Sequence, residues 1–251
     1  MAHTFSRLAN PDLFLKISRP LLPLSGILAL IFIGVGSYMA FFASPPDYKQ
    51  GESVRIMYVH VPAAWLAIQT YLAIAIASFV GFVWRHRLAD IAARKAAPLG
   101  LAFTFLALVT GSLWGKVTWG VYWDWDPRLV SMLVLLFLYM GYMILWQTIE
   151  NEANAARTAA LLAMIGAVNL PIIKFSVDWW DSLHQKATVI REGGPSMPAS
   201  MLWPLLLMAL GYTALSIFYV VLRTRTDLLN RRVRPADEQR MPSSATLELA
   251  P

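Results

Sequence analysis

Six long stretches of the sequence are apolar and carry almost no charge. Each is roughly 17–26 residues long, which is enough for a helix to cross the hydrocarbon core of a bilayer, about 30 Å thick. Because backbone groups in lipid must satisfy their own hydrogen bonds, and no barrel-like alternation runs through the stretches, we predict that they are helices. The predicted fold class is therefore all-α, a polytopic membrane protein built as a six-transmembrane-helix bundle. The spans are predicted at about 21–42, 59–84, 97–114, 129–149, 158–174 and 200–222.

The composition agrees with a membrane protein and its cations predict the sidedness. Only 14% of the residues are charged, whereas a soluble domain usually has about a quarter. If the N-terminus lies inside, 14 of the 21 Lys and Arg residues fall on the inner side and seven in the outer loops. Cytoplasmic segments carry such an excess, so we predict that both termini are cytoplasmic. Since these cations are divided among short loops, the net charge of +6 indicates contact with a lipid bilayer and no nucleic acid.

The predicted spans leave three loops on the outer side, at about 43–58, 115–128 and 175–199. Residues 1–225 are predicted to form a single transmembrane domain, and the polar residues 226–251 a disordered cytoplasmic tail. The chain has no Cys, which excludes disulfides and thiolate ligation of a metal. Any chemistry is therefore expected at the outer face or between the helices.

The second outer loop is unusually rich in tryptophan. It holds four of the ten Trp residues within twelve positions, namely Trp114, Trp119, Trp123 and Trp125. From Trp119 onward these residues alternate with others, as in an extended segment with one indole-rich edge, although Trp119 and Trp123 would also align on a helix. An ordinary aromatic belt needs fewer indoles. We therefore favour a platform for a large, flat, apolar ligand with charged edges, such as haem, over a belt or a packing role.

Two of the four His residues fall on the predicted outer side, far apart in the sequence. His60 lies at the start of the second span and His184 in the third outer loop, whereas His3 is near the N-terminus and His86 is at an inner helix end. Either outer His alone is more typical of a hydrogen-bonded residue near the headgroups. As a pair, two neutral imidazoles fill both axial positions of a haem iron. Neither shows the spacing of a zinc helix, so a zinc site is the weaker hypothesis.

The residues before His184 predict a short helix that lies on the membrane surface. Four side chains recur on one face of it: Val177, Trp180, Leu183 and His184. Ser176 is a plausible cap for this helix. Just upstream, Asn169 and Pro171 are expected to loosen the fifth span near its outer end.

Charged residues next to the outer loops are candidates for recognising a ligand. Asp126 precedes Pro127 at the start of the fourth span, which is the pattern of a helix cap, so a structural role is at least as well supported as a ligand contact. Arg55 and Arg128 are candidates for binding the two propionates of haem, because a guanidinium pairs with a carboxylate through two hydrogen bonds. Positive flanking of a membrane span remains the alternative for both arginines.

A known signature of haem-handling proteins in bacterial cytochrome c maturation, the tryptophan-rich WWD motif, resembles the run Trp114-Gly-Lys-Val-Thr-Trp119-Gly-Val-Tyr-Trp123-Asp-Trp125-Asp126-Pro-Arg128. Six spans, with one outer His before the motif and one after it, are similar to the CcmC family, the haem exporter protein C type. The resemblance covers about residues 15–225. The larger lyase-type relatives have more spans and more His than 251 residues can hold.

The resemblance implies a function in haem trafficking. Proteins of this family hold haem b at the periplasmic face of the bacterial inner membrane and present it to the haem chaperone CcmE. They work beside the transporter subunits CcmA and CcmB and the small protein CcmD. The resemblance makes His60 and His184 the axial ligands, and the covalent attachment chemistry lies with haem and CcmE, so no enzyme activity is expected. The implied platform consists of Trp114, Trp119, Trp123, Trp125 and Asp126.

Two other classes of function stay open as alternatives. A b-type electron-transfer subunit normally holds haem at two depths, yet the only inner His in a helix region is His86. A transporter with an ionic path needs charged groups near the middle of its spans, and the first, third, fourth and sixth spans contain none.

Overall fold

Seven α-helices make up most of the part of the chain that is described. The computed structural model describes residues 10–186, 188–189 and 191–240, with side chains as far as Val233. His3 and the predicted tail beyond residue 240 lie outside the described residues. The helices are α1 (Pro11–Tyr38, continued by a π-helical turn Met39–Ala43), α2 (Met57–Trp84, preceded by a 3-10 turn Glu52–Ile56), α3 (Arg87–Trp119), α4 (Pro127–Thr148), α5 (Glu152–Gly166), α6 (Asn169–Trp179) and α7 (Ala199–Arg240).

These helices form six segments that are long and apolar enough to cross a membrane. The prediction of an all-α polytopic membrane protein is therefore confirmed. The segments are Pro11–Ala43, Glu52–Trp84, Arg87–Trp119, Pro127–Thr148, Glu152–Trp179 and Ala199–Val233. Most begin or end several residues outside the predicted apolar stretches, because a helix continues past the hydrocarbon boundary into the headgroup region until a cap or a turn stops it.

Short polar side chains start several of these helices. Asn10 accepts a hydrogen bond from the backbone N–H of Asp12 at 2.8 Å, and Asn151 accepts one from Asn154 at 3.0 Å. At the other end of α3, Gly120 has a φ of 83°, a left-handed conformation that glycine adopts without strain and that ends the helix. These local signals fix where the connecting loops begin.

The fifth span consists of two helices. α5 ends at Gly166, a turn follows at Ala167 and Val168, and α6 begins at Asn169. The Asn169 side chain donates to the carbonyl of Ser131 in α4 at 2.8 Å. The expected loosening near Asn169 is therefore a complete interruption, which lets α6 follow α4 while α5 packs against both α2 and α4.

The core lies among α2, α3, α4 and α5. Several alanines of α2, α3 and α5 are fully buried and allow close approach of the backbones. Tyr71 and Tyr139 meet edge to face with ring centroids 5.1 Å apart. Tyr139 also donates to the carbonyl of Ala67 at 2.7 Å, so the rings connect α2 to α4. α1 packs mainly on α7, and α7 also contacts α2 and α3.

The last helix is longer than the sequence predicts. Residues 226–240, expected in a disordered tail, continue α7 as helix. Asp227 pairs with Lys95 at 2.7 Å and with Arg231 at 2.6 Å, and Arg231 also pairs with Glu152. The polar composition of these residues predicted disorder. In the structure their charged side chains form ion pairs that hold the helix to its neighbours beyond the apolar span.

Candidate functional site

At one end of the bundle, two of the three loops, residues 44–51 and 180–198, line a large cavity. We call this end of the bundle the tryptophan end, defined by residues 44–51, 120–126 and 180–198. The cavity has a volume of about 650 Å³ and reaches from loop residues such as Gln50 down to Ile68 and Met132 in the helices. Its size is in the range of sites that enclose a small organic ligand. Both His60 and His184 line it.

The His60 imidazole is held in one tautomer. Its Nδ1 lies 3.0 Å from the carbonyl oxygen of Ala107 and 3.1 Å from Oγ1 of Thr110. A carbonyl only accepts hydrogen bonds, and Thr110 already donates its own proton to Leu106 at 2.6 Å. Nδ1 must therefore carry the hydrogen, which leaves a lone pair on Nε2.

α3 approaches His60 closely because Gly111 has no side chain. A Cβ at Gly111 would lie 2.9 Å from Cε1 of His60. The indole of Trp114, one turn further along α3, meets the imidazole edge to face with centroids 5.7 Å apart. Trp114 in turn donates from Nε1 to Oε1 of Gln50 at 2.7 Å. The ring of His60 is thus fixed by neighbours from α3 and from the first loop.

His184 is held by Asp126 in a comparable way. Nδ1 of His184 lies 3.2 Å from Oδ1 of Asp126, and Oδ2 of the same carboxylate accepts the backbone N–H of Leu183 at 2.9 Å. A carboxylate favours the tautomer with hydrogen on Nδ1, so Nε2 again keeps its lone pair. Trp119 meets this imidazole edge to face at 4.7 Å. Each of the two imidazoles therefore has an acceptor behind it and an indole beside it.

The protonation states at this pair follow from burial and hydrogen bonding. Burial lowers the pKa of His184 and outweighs the opposing effect of Asp126, while Arg128 lowers it further. Burial alone would raise the pKa of Asp126, but hydrogen bonds from Ser182 and from backbone N–H groups, together with His184, bring it below its ordinary value. At neutral pH the pair is therefore a carboxylate and a neutral imidazole, which is the form that binds a metal.

The prediction of a surface helix that contains His184 is wrong. α6 ends at Trp179, Trp180 is extended, and His184 lies in an irregular segment. Ser176 is buried inside α6, where its hydroxyl donates to the carbonyl of Ile173 at 3.1 Å, and it caps nothing. The periodic pattern misled because the Leu183 N–H bonds to Asp126, 57 positions away, instead of to a helical carbonyl.

The tryptophan-rich run divides into two parts. Trp114 and Trp119 belong to the last turns of α3 and line the cavity, whereas only residues 120–126 are non-helical. Trp123 and Trp125 contact each other edge to face at 5.8 Å and do not line the cavity. Trp125 is 75% exposed. The sequence predicted one platform of four indoles. In the structure two of them line the cavity and the other two lie beside it.

Asp126 confirms the predicted cap. Its Oδ1 accepts the backbone N–H of Arg128 at 2.9 Å, and Pro127 begins α4. The carboxylate does not line the large cavity but borders a smaller concavity together with Trp125 and Ser182. Asp126 therefore positions His184 while it caps the helix.

The two arginines proposed for the propionates differ in position. Arg128 lines the cavity, and its guanidinium makes no hydrogen bond or ion pair with another residue in the described part of the chain. Arg55 does not line the cavity. Its Nη1 donates to the carbonyls of Ala40 and Phe41, both at 2.7 Å, and its Nε pairs with Glu52. Arg55 thus satisfies carbonyls at the end of the first span, because that helix end leaves acceptors without intrahelical donors.

The described residues contain no group of three or more His, Asp or Glu placed to chelate a metal ion. A multidentate site of the zinc type is therefore not formed by the described side chains. Two imidazoles on the wall of one cavity match a different chemistry, in which a planar ligand supplies the remaining donor atoms.

Comparison with known proteins gives the family of the chain. The family model for Heme exporter protein C matches residues 4–239. The chain belongs to the Heme exporter protein C family. It is 50% identical over 231 residues to Heme exporter protein C of Bradyrhizobium diazoefficiens, covering 92% of this chain and 88% of the relative. It is 42% identical over 230 residues to that of Escherichia coli K12, covering 91% and 92%, and 38% identical over 228 residues to that of Paracoccus denitrificans, covering 90% and 93%.

Membership in the Heme exporter protein C family confirms the resemblance seen in the sequence. The family implies a role in haem export for cytochrome c maturation. Its members are components of a transport system. Together with the six candidate spans it makes the chain a multi-pass membrane protein.

Several residues that shape the cavity gave no signal in the sequence. Ala107 and Thr110 hold His60 through atoms that any helix residue or any threonine offers. Gly111 was one of 14 glycines, and only its distance from the imidazole singles it out. Lys174 counted merely as one of the outer cations, yet it lines the cavity. The role of each of these residues depends on its neighbours from other helices, and such neighbours leave no pattern in the nearby sequence.

Proposed function

We propose that this chain binds haem b at the tryptophan end, with Nε2 of His60 and Nε2 of His184 as the two axial iron ligands. The observation that carries the proposal is that both imidazoles line one cavity and that each has its Nδ1–H occupied by an acceptor. Nε2 is then the free donor atom in both rings, as in metal sites where a second residue fixes the tautomer. The lowered pKa of His184 favours the neutral, ligating form.

The wall of the cavity has aromatic and apolar surfaces that suit a porphyrin ring. Trp114 and Trp119 supply indole faces and edges, and Met132, Ile173 and Leu205 supply apolar walls. Burying a macrocycle on such surfaces contributes about 25 cal/mol for each Å² of apolar area removed from water. Arg128, whose guanidinium makes no hydrogen bond or ion pair among the described residues although the carboxylates of Asp126 and Asp178 act on it electrostatically, is the candidate for a propionate.

The haem is cargo in this proposal, and the chain presents it to the chaperone CcmE. Trp123 and Trp125 lie beside the cavity, and Trp125 is largely exposed. Exposed aromatic side chains next to a ligand site are typical of protein contact surfaces. We assign this pair to the contact with CcmE rather than to the haem platform. Covalent attachment is chemistry of the haem and of CcmE, and this chain acts as a binding protein and not as an enzyme.

The family also supports a place in a larger assembly. We propose that the chain works with CcmA, CcmB and CcmD in the bacterial inner membrane, with the tryptophan end on the periplasmic side and both termini in the cytoplasm. The excess of Lys and Arg on the inner segments supports this orientation. The Arg-rich ion pairs among α3, α5 and α7 lie at the opposite end of the bundle from the cavity.

The electron-transfer alternative finds less support. His86 lies at the opposite end, where its Nδ1 accepts the backbone N–H of Ala89 at 3.1 Å and caps α3. His60, His86 and His184 are the His residues of the described chain, so a second bis-imidazole site has no pair of ligands there.

Spectroscopy of the purified full-length chain tests the binding proposal. Haem added to the protein in detergent is expected to give a low-spin, bis-imidazole absorption and EPR spectrum. His60→Ala and His184→Ala are each expected to convert bound haem to a high-spin form or to lose it. His86→Asn is the matched control, because Asn also caps a helix N-terminus. If both Ala variants keep the haem content and spectrum of the parent chain, the two-His site is wrong.

Co-purification tests the transfer proposal. The chain loaded with haem is expected to bind CcmE and to pass haem to it, and a CcmE variant without its acceptor His is expected to bind without becoming covalently labelled. Replacement of Trp125 by Ala is expected to weaken the complex while the haem spectrum of the isolated chain stays unchanged.

A further inference from the structure

Four cations line the cavity, and they differ in the contacts that their charged groups make with other residues. They are Lys49, Arg128, Lys174 and Lys186. Lys186 lies 3.8 Å from the carboxylate of Asp178, and Lys49 lies over the ring of Tyr48 at 5.5 Å. In the described part of the chain neither Arg128 nor Lys174 has a side-chain hydrogen bond or ion pair. These two cations are therefore available to an anionic ligand.

Arg128 and Lys174 lie at the same height in the bundle. α4 and α6 pack against each other and run antiparallel, and Asn169 at the start of α6 bonds to Ser131 in α4. Five residues along α6 correspond to about 7.5 Å. That rise brings Lys174 level with the first turn of α4, which contains Arg128.

Lys174 is also unusual for its surroundings. It is an exposed residue in a segment long and apolar enough to span a membrane, between the buried Ile173 and the exposed Phe175. A charged side chain in such a segment is costly and is generally found facing a cavity or marking a substrate site. Asp178, one turn further along α6, pairs with Lys186, and Lys174 makes no ion pair among the described residues. A ligand of opposite charge would therefore offset the cost of this cation.

The part of the cavity wall that α7 supplies is apolar. α7 packs against α1, α2 and α3, whereas α6 packs against α4. Its first turns contribute Met201 and Leu205 to the cavity, beside Val54 and Met57 from the segment before α2. The α4–α6 part of the wall thus carries two cations without an ion pair among the described residues, whereas the first turns of α7 contribute hydrocarbon side chains. The remaining cation without an ion pair, Lys49, belongs to the first loop and contacts the Tyr48 ring.

We propose that Arg128 and Lys174 together form a dicarboxylate-binding subsite that holds both propionates of the haem and so fixes which edge of the ring faces which wall. The propionate edge lies at α4 and α6, and the opposite edge, which carries the vinyl groups, lies against Met201 and Leu205. This inference rests on the proposed haem-binding function. It replaces the pair of Arg55 and Arg128 expected from the sequence by the pair of Arg128 and Lys174.

Binding of haem and of its dimethyl ester, in which both carboxylates are blocked, tests the subsite. The full-length chain in detergent is titrated with each compound and followed by absorption. The parent chain is expected to prefer haem, and Lys174→Gln is expected to weaken haem binding roughly 10-fold while binding of the ester stays unchanged. Lys174→Arg is expected to restore the preference. Arg191→Gln removes a cation of the same loop region that does not line the cavity, and it is expected to change neither affinity.

Resonance Raman spectra add a measurement that would not change if Lys174 had only a structural role. The propionate bending mode of bound haem is expected to shift in Lys174→Gln, whereas the iron spin state remains low-spin. Equal loss of haem and ester affinity in Lys174→Gln, or no loss of either, overturns the subsite. A parent chain that gives no bis-imidazole spectrum overturns the proposed function itself, so the two failures are distinguishable.

Discussion

The carboxylate of Asp126 lies 3.2 Å from Nδ1 of His184, although the two residues are 58 positions apart. The same carboxylate caps α4 and accepts the N–H of Leu183. One buried group therefore joins the end of the tryptophan-rich segment to the loop that carries the second proposed ligand. The position of His184 depends on the integrity of the cap.

Asp126→Asn is expected to loosen His184 without unfolding α4. Asn also caps helices, but its amide NH₂ would face either the Leu183 N–H or the His184 Nδ1–H. Loss of such a second residue typically weakens metal ligation about 10- to 100-fold. Absorption and EPR spectra of bound haem are expected to show partial conversion to a high-spin form. Asp124→Asn, two positions away and exposed, serves as control, and a spectrum changed equally in both variants would contradict the role of Asp126.

The stability of the chain is expected to decrease as the pH falls below about 6.5, the ordinary pKa of His. The pKa of His184 is lowered in the folded protein, chiefly by burial, so the unfolded chain binds the proton more readily. The stability that the neutral imidazole contributes is therefore fully present above pH 6.5 and is lost as the pH falls toward the lowered pKa. Asp126, whose pKa is also lowered, stays ionised across this interval.

Thermal unfolding of the haem-free chain between pH 7.5 and pH 5 measures this effect. His184→Gln is expected to reduce the decrease in melting temperature over that interval. The idea fails if His184→Gln reproduces the pH dependence of the parent chain.

Gly111→Ala is expected to disturb His60. The added Cβ would lie 2.9 Å from Cε1 of the imidazole, so either the ring or α3 must move. Overpacking of this kind typically costs about 1–3 kcal/mol, and here it also displaces a proposed iron ligand. A lower melting temperature together with an altered haem spectrum is the expected result.

Gly34→Ala is the matched control for Gly111→Ala. Gly34 is also helical, and a Cβ there meets no atom of the described chain within 4 Å. Its melting temperature is expected to stay the same or to rise, because Ala favours a helix over Gly. Equal behaviour of the two variants would argue against the close approach of α3 to His60.

Glu152→Gln is expected to release the end of α7 without affecting the cavity. Glu152 pairs with Arg87 at 3.2 Å and with Arg231, and Arg231 pairs in turn with Asp227. Because these groups are partly exposed, we expect a loss of only about 1 kcal/mol. Hydrogen exchange is expected to become faster after residue 226, while the haem spectrum is unchanged. Glu150→Gln, which removes an exposed carboxylate without an ion pair in the described residues, is expected to leave exchange unaltered.

The features that the sequence predicted correctly are those that local physics decides. The six spans follow from stretches of apolar residues long enough to cross a bilayer, because lipid offers the backbone no other hydrogen-bonding partner. The cap at Asp126 follows from two adjacent residues, Asp and Pro. The pairing of His60 with His184 was predicted from their sidedness and from the family resemblance. The structure places both side chains on the wall of one cavity, and their ligation of one iron stays a prediction.

Local patterns also misled where a distant group competed. The three- and four-residue spacing before His184 predicted a helix, but the buried Asp126 carboxylate takes the Leu183 N–H. Arg55 carried the same positive charge as Lys174, yet it is engaged by the carbonyls of Ala40 and Phe41. The polar residues after 225 looked disordered until Lys95 and Glu152, from other helices, appeared beside them.

The sequence by itself determined that this chain is a six-span helical membrane protein with two histidines and a tryptophan-rich segment available for a haem-like ligand. Hydrophobic length, helix caps and residue chemistry are local properties, and each can be read in a short window of residues. Only the tertiary structure decided which nitrogen of each imidazole is free, which indoles enter the cavity, and which cations remain unpaired. Those properties depend on hydrogen-bond and ion-pair partners that come from other helices, and such partners exist only once the helices have packed.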